Sequence, residues 1–200
     1  LDMFGDPATN PKGWEVRSLE QLAIKIRNGV SKRSAGSDAP FKMLMVKNLG
    51  LSCYVVLDDV RKVTASERDY AQARLLNGDL IISHLNGSIE HVGKCALFSE
   101  PGKWMFDSNL TAATLDTAAV APEYVYWAWR LLFEHGEFRR IAQKTTGGQY
   151  LLKGSVIRQI SLPCPPSQLQ HRFTELVAYF EEKRWQMEQA AEDLEKLYQS

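Results

Sequence analysis

The sequence predicts an α+β globular domain, strands and helices mixed along the chain, followed by a long C-terminal helix of coiled-coil type. Three observations predict it. Between residues 14 and 162, short apolar runs rich in β-branched and aromatic residues alternate with capped helical segments. Pro163-Cys164-Pro165-Pro166 then interrupts the pattern. From Ser167 to Gln199 there is no Gly or Pro, and Phe173, Phe180, Met187 and Leu194 fall every seven residues. The expected division is an irregular lead-in over 1–13, a globular domain over 14–165 and the helix over 166–200.

The lead-in is rich in Pro, Gly, Asn and Asp, and Trp14 begins the ordered part. Ser18 and Gln21 have capping-box spacing, which predicts a short helix through Ile26. Phe41–Val46 and Ser52–Leu57 read as strands around the turn residues Asn48-Leu49-Gly50. Thr64, with Glu67 three residues on, predicts a helix to Leu76. Asn77-Gly78-Asp79 stops it, Asp79 being read as a turn residue, and Leu80–Ser83 follows as a buried strand. Asn86-Gly87 signals a turn before a strand over Val92–Phe98, and a polar loop comes next. Pro122 suits the first position of an aromatic-rich helix reaching about His135. Gly147-Gly148 breaks the chain, and Val156–Leu162 reads as a last strand before prolines that cannot join a ladder.

In the terminal helix Leu169, Leu176, Lys183, Ala190 and Leu197 interleave with the Phe173 series. A helix that long, roughly 45–50 Å at about 1.5 Å per residue, needs a partner for its apolar seam. The alternative is packing on its own domain. Lys183 is either a register device or a snorkelling stem.

Twenty-four basic residues balance twenty-four acidic ones, so net charge announces no partner. The distribution is uneven. Residues 21–37 and 138–174 contain no Asp or Glu, while the last stretch is acidic. A neutral sum can hide a basic face that attracts phosphates, although each cluster can equally be a solvated surface. Three widely spaced cysteines fit free thiols in a reducing compartment, hence a cytoplasmic location. No apolar run approaches the roughly 18 residues of a membrane span, and the first residues do not resemble a signal peptide. A start at Leu1 suggests an excised or processed piece.

Catalytic motifs are missing. Cys164-Pro165-Pro166-Ser167 has the double proline of a base-amino methyltransferase motif, but neither the amide or carboxylate before it nor the aromatic after it. No glycine-rich methyl-donor loop follows a strand. Asp79, Glu90 and Lys94 are poorly spaced for a metal-dependent nuclease, and His84, His91 and Cys95 lack a fourth metal ligand. The expectation is a chain with no catalytic residues, no metal and no cofactor of its own.

Three segments together resemble the specificity subunits of type I restriction-modification systems. They are Phe4-Gly5-Asp6-Pro7 through Val16; Leu76-Asn77-Gly78-Asp79-Leu80-Ile81-Ile82-Ser83 continuing to Val92-Gly93-Lys94-Cys95-Ala96; and Ile160-Ser161-Leu162-Pro163-Cys164-Pro165-Pro166-Ser167-Gln168-Leu169-Gln170. The second is similar to the family's Gly-Asp strand followed by a Gly-Lys strand. The third resembles the junction of recognition domain and spacer helix, with Leu169-Gln170 where the family usually has Glu-Gln. The resemblance implies a target-recognition domain that binds double-stranded DNA, followed by one spacer helix. A whole subunit has two of each, its helices paired antiparallel. This chain would then be half of a longer subunit, or a half-subunit that dimerises through Leu169, Phe173, Leu176, Phe180, Met187, Leu194 and Leu197 and reads an inverted, interrupted repeat. Methyltransferase subunits and a restriction subunit would be its partners and would carry S-adenosylmethionine, ATP and Mg. The alternatives are a recognition domain excised from a single-chain restriction-modification enzyme, or a coiled-coil adaptor or DNA mimic binding the partner subunits.

Reading DNA needs phosphate clamps for register and polar side chains at base edges. The candidate clamps are Lys25, Arg27, Lys32 and Arg33 in the first acid-free stretch, with Arg139, Arg140, Lys144 and Lys153 in the second. Thr145, Thr146, Gln149 and Tyr150 follow Lys144 in a loop combining a cation, hydroxyls, an amide and an aromatic; it could also simply cap the preceding helix. His84, Asn86 and Ser88 could be presented by their turn, or only form a hairpin. Tyr124, Tyr126, Trp127, Trp129 and Phe133 are expected in the core rather than as base-stacking platforms.

Overall fold

The computed structural model describes residues 3–32, 35–50 and 52–199, without the side chains of 185, 188, 192, 193 and 195–199. Arg33 and the side chain of Leu197, both predicted above, lie outside this set. The expected mixed architecture is present. The elements in chain order are β1 (Glu15–Ser18), α1 (Leu19–Leu22), β2 (Ala23–Asn28), β3 (Phe41–Leu44), β4 (Arg61–Val63), α2 (Glu67–Ala73), β5 (Leu80–Ser83) and β6 (Leu85–Asn86). There follow β7 (Cys95–Leu97), β8 (Trp104–Phe106), β9 (Leu110–Leu115), α3 (Pro122–Glu134), α4 (Glu137–Ile141), β10 (Gln143–Lys144), β11 (Tyr150–Leu151), α5 (Gly154–Gln159), β12 (Ser161–Cys164) and α6 (Ser167–Gln199).

An antiparallel sheet of order β2-β9-β5-β7 divides two apolar cores. On one face Leu80, Ile82, Leu97 and Ala113 meet the aromatic face of α3, with Leu19, Phe138, Leu152 and Ile157. On the other, Ile81, Ala96 and Ala112 meet the β4-β3-β8 sheet and α2 through Met43, Val63, Phe106 and Ala73. Both faces of β5 are thus covered, which is why its four residues are all buried and its sequence runs apolar without alternation. Tyr124, Tyr126 and Trp129 of α3 are buried, and Trp127 and Phe133 pack at the core's margin, as expected.

Several elements differ from expectation. The Ser18–Gln21 capping box forms, but α1 ends after one turn. Ala23 and residues 25–28 pair with β9 instead, with an irregularity at Ile24. The cap of α2 is Ser66 with Asp69, not Thr64 with Glu67; both spacings fit a capping box, and Ser66 takes the extended backbone that a cap requires. Residues 52–57 make one bridge to Leu97 rather than a strand, because the buried Asn48 amide donates to the carbonyls of Val56 (2.9 Å) and Asp58 (3.2 Å) and bends the segment. The polar loop before α3 contains β8 and β9, the latter hidden by the two alanines at its centre.

Residues 154–159 are helical, and the last strand lies later, pairing with β1. Pro163 stands in that ladder opposite Val16, contrary to expectation. The Leu19 N–H to Ile160 carbonyl bond (2.8 Å) sets the alternation that puts Pro163 at a non-hydrogen-bonding position, where its missing N–H costs nothing.

The long helix forms over 33 residues. Its first turns are tied to the domain by Gln170, 3% exposed, whose amide donates to Pro165 O (2.7 Å) and accepts from Ala121 N (2.8 Å). Phe173 meets Phe4 of the lead-in edge-on at 5.1 Å, and Val177 is buried. Among the described residues, no helix is long and apolar enough to cross a membrane.

Candidate nucleic-acid interface

The two polar loops singled out in the sequence, some sixty residues apart, are joined in one small sheet of order β10-β11-β6. Tyr150 pairs with Lys144 on one side and Asn86 on the other, so these three side chains share a face. The Lys144 ammonium lies 5.8 Å from the Tyr150 ring centroid. Leu152, fully buried, anchors the strand, and its N–H donates to His84 O (2.8 Å).

The β10–β11 loop is closed from within. Thr145 N–H donates to Gln149 O (2.7 Å), Gln149 N–H donates to Thr145 Oγ1 (3.2 Å), and Gly148 takes the left-handed backbone that glycine favours. The Thr145 hydroxyl is therefore an internal brace, while Thr146 and Gln149 are exposed at the tip. Asn86 Oδ1 accepts from Ser88 N (2.9 Å), and Ser88 Oγ accepts from Glu90 N (3.3 Å), which shapes the neighbouring loop.

His84 sits at the junction of this sheet with the central one. Its Nδ1 lies 3.0 Å from Thr111 Oγ1, whose hydroxyl donates to Asn28 Oδ1 (2.9 Å). Burial holds the His84 imidazole below its ordinary pKa, opposed by the nearby Asp107 carboxylate. The ring is neutral near pH 7.

The cations divide into two groups. Lys25, Lys144 and Lys153 are exposed. Arg139 pairs with Glu90 (2.7 Å) and Arg140 with Glu137, in solvent-facing pairs worth little. Arg27 is a correction to the sequence reading: its side chain is 7% exposed and faces the second core. It donates to Asp79 Oδ2 (2.5 Å), Thr114 Oγ1 (2.7 Å) and Arg74 O (2.7 Å), with its guanidinium 5.7 Å from the Phe106 ring. Buried and held by these three bonds, it is not placed to clamp a phosphate. Asp79, fully buried, is correspondingly more than a turn residue; it also accepts from Thr114 Oγ1 (2.6 Å) and Leu76 N (2.8 Å). Lys32 is held by Asp69 at 2.6 Å and braces α2 rather than standing free.

The predicted seam of α6 divides as well. Leu169 and Phe173 are half-buried, Phe173 against the first core. Leu176, Phe180, Met187 and Leu194 are exposed, Phe180 and Met187 by 65% and 72%. An apolar groove of about 480 Å³ lies at the base of the helix, between Phe4, Trp127, Phe173 and Phe180.

No family model matches the chain. It is 27% identical over 192 residues to the type I restriction enzyme EcoKI specificity subunit of Escherichia coli, covering 92% of this chain and 40% of that protein. It is 24% identical over 172 residues to the putative type I restriction enzyme MjaX specificity subunit of Methanocaldococcus jannaschii, covering 86% and 40%. The chain therefore spans about 40% of the length of these relatives. Among solved structures, the HsdS subunit of Thermoanaerobacter tengcongensis superposes with TM-score 0.57 at 16% identity, covering 90% of this chain and 40% of that one. The type I restriction-modification S subunit from M. genitalium gives 0.57 at 12% identity, covering 88% and 42%. The chain has a mixed α/β fold with a long terminal helix, and it shares that fold with type I S subunits. In sequence it is similar to the specificity subunits of type I restriction enzymes, as its motifs indicated.

Proposed function

We propose that the chain is a non-catalytic DNA-recognition module of a type I restriction-modification system, reading one half of a bipartite target in the cytoplasm. The observation that carries this reading is the convergence of Asn86, Lys144 and Tyr150 on one face of a small sheet, with Thr146 and Gln149 at its tip. The β10–β11 hairpin at the edge of this sheet is a two-stranded ribbon, an element that the major groove admits. Lys25, Lys144, Lys153, Arg139 and Arg140 take phosphates and fix register, while Asn86, Ser88, Thr146 and Gln149 meet base edges. The exposed seam of α6 docks a second helix, from another copy or from the other half of a longer subunit. The methyltransferase and restriction subunits supply catalysis, with S-adenosylmethionine, ATP and Mg bound there.

The test is duplex binding by the chain assembled with methyltransferase subunits, across a salt series. Each phosphate contact contributes about 0.9 to the slope of log K against log salt. Lys144→Glu with Lys153→Glu is expected to lower that slope by about 2 and weaken all duplexes alike. An unchanged slope removes this face from the interface. Absence of any duplex binding by the assembled wild type refutes the reading.

A further inference from the structure

We propose that Asn28 reads an adenine edge, through an amide held from behind by Thr111 and His84. The proposal rests on the DNA-reading role above and adds to it a residue that stands outside both polar loops.

Asn28 is the last residue of β2 and is exposed, whereas Arg27 beside it is locked in the core. Its Oδ1 accepts the Thr111 hydroxyl at 2.9 Å, and Thr111 is 1% exposed. A threonine hydroxyl has one hydrogen. With that hydrogen given to Asn28, Thr111 Oγ1 is left as an acceptor 3.0 Å from His84 Nδ1, an arrangement that suits the Nδ1–H tautomer. The chain of three groups runs from β2 across β9 to the residue that follows β5, and none of its members is adjacent in sequence.

The backbone is fixed at the same place. A Cβ on Gly29 would lie 2.2 Å from the Asp107 carbonyl oxygen, so only glycine lets the chain approach there, and Val30 N–H donates to Phe106 O (3.2 Å). Asn28 thus stands at a defined point on the rim.

The bond from Thr111 occupies one lone pair of Oδ1 and sets which way the amide faces. The other lone pair and the two Nδ2 hydrogens are not used by that bond, which leaves an acceptor beside a donor on an exposed side chain. Adenine offers the complement in the major groove, N6–H as donor and N7 as acceptor. An amide already held in one rotamer loses little freedom on binding, which is what a specificity contact needs. The position suits the role. His84 O takes the Leu152 N–H of the small sheet, and Arg158 near the end of α5 donates to Ile26 O (3.0 Å), so part of the second acid-free stretch lies alongside β2.

The experiment is selection from a randomised duplex pool by the chain assembled with methyltransferase subunits, comparing wild type with Asn28→Ala, Asn28→Asp, Thr111→Val and Thr111→Ser. Asn28→Ala is expected to keep the salt dependence and to flatten preference at one A·T position by about 5- to 100-fold. Asn28→Asp, which has only acceptors, moves that position towards cytosine. Thr111→Val gives a partial loss at the same position, and Thr111→Ser restores it. A motif unchanged in Asn28→Ala, or changed only at a G·C position, overturns the proposal and leaves the DNA-reading role standing. A wild-type chain that enriches no motif overturns both.

Discussion

Replacing Asp79 by alanine strands Arg27 inside the protein. The pair is almost wholly removed from water, with side-chain exposures of 7% and 0%. Asp79 also takes the Thr114 hydroxyl and the Leu76 N–H, so its loss orphans three donors. Removing one partner of a buried pair costs about 3–5 kcal/mol. Arg27 keeps its bonds to Thr114 and to the Arg74 carbonyl, which places the expected cost near the lower end, about 3 kcal/mol. For a chain of this size each kcal/mol moves Tm by roughly 2–4 °C, so the melt falls by roughly 6–12 °C. Adding Arg27→Met removes the stranded charge. The double variant is expected to be more stable than the sum of the single changes predicts, by about 1 kcal/mol or more. Urea unfolding followed by far-ultraviolet circular dichroism measures all four proteins. A cost below about 1 kcal/mol for Asp79→Ala, or strict additivity in the double variant, refutes the argument.

Gly93 has φ +89°, and a Cβ there would stand 2.2 Å from the Phe138 ring, which stacks on Trp129. Gly93→Ala is expected to lose about 3 kcal/mol from left-handed strain plus overpacking, seen as a lowered Tm. Because burial lowers the His84 pKa, the unfolded chain takes up that proton first as pH falls. The His84 contribution is complete above about pH 6.5 and is lost as pH drops below it towards the folded value. The pH 7 to 5 fall in Tm should be smaller in His84→Gln, and equal slopes would contradict this. Phe180→Glu with Met187→Glu should leave Tm within about 2 °C, since both side chains are exposed, while abolishing helix-mediated association in sedimentation. Retained association would place the contact elsewhere.

The parts of the fold legible in the sequence are those whose signals are local. Pro122 and the aromatic spacing after it announce α3, and thirty-three residues without Gly or Pro announce α6. The strands that escaped notice, β2 and β9 above all, depend on each other. Ala112 and Ala113 have weak strand preference alone and are made part of a strand by their neighbours. The candidate interface was legible to the same extent. Both loops could be named from their residues, but nothing local says that Tyr150 pairs with Asn86. Arg27 was misassigned for the same reason: an acid-free stretch looks cationic until its acid arrives from 52 residues away. Asn28 and Thr111, 83 residues apart, carry no motif at all, and their meeting belongs to the register of β2 on β9.

The Gln170 tether makes α6 a lever. From Gln170 to the far end the helix runs about 45 Å at 1.5 Å per residue. A rotation of about 10° at the base would carry the tip sideways by about 8 Å, the full distance between two packed helix axes. Two bonds from one buried amide, to Pro165 and Ala121, therefore set where anything gripping the far end will find itself relative to the small sheet. Aim, on this arithmetic, is decided at the hilt.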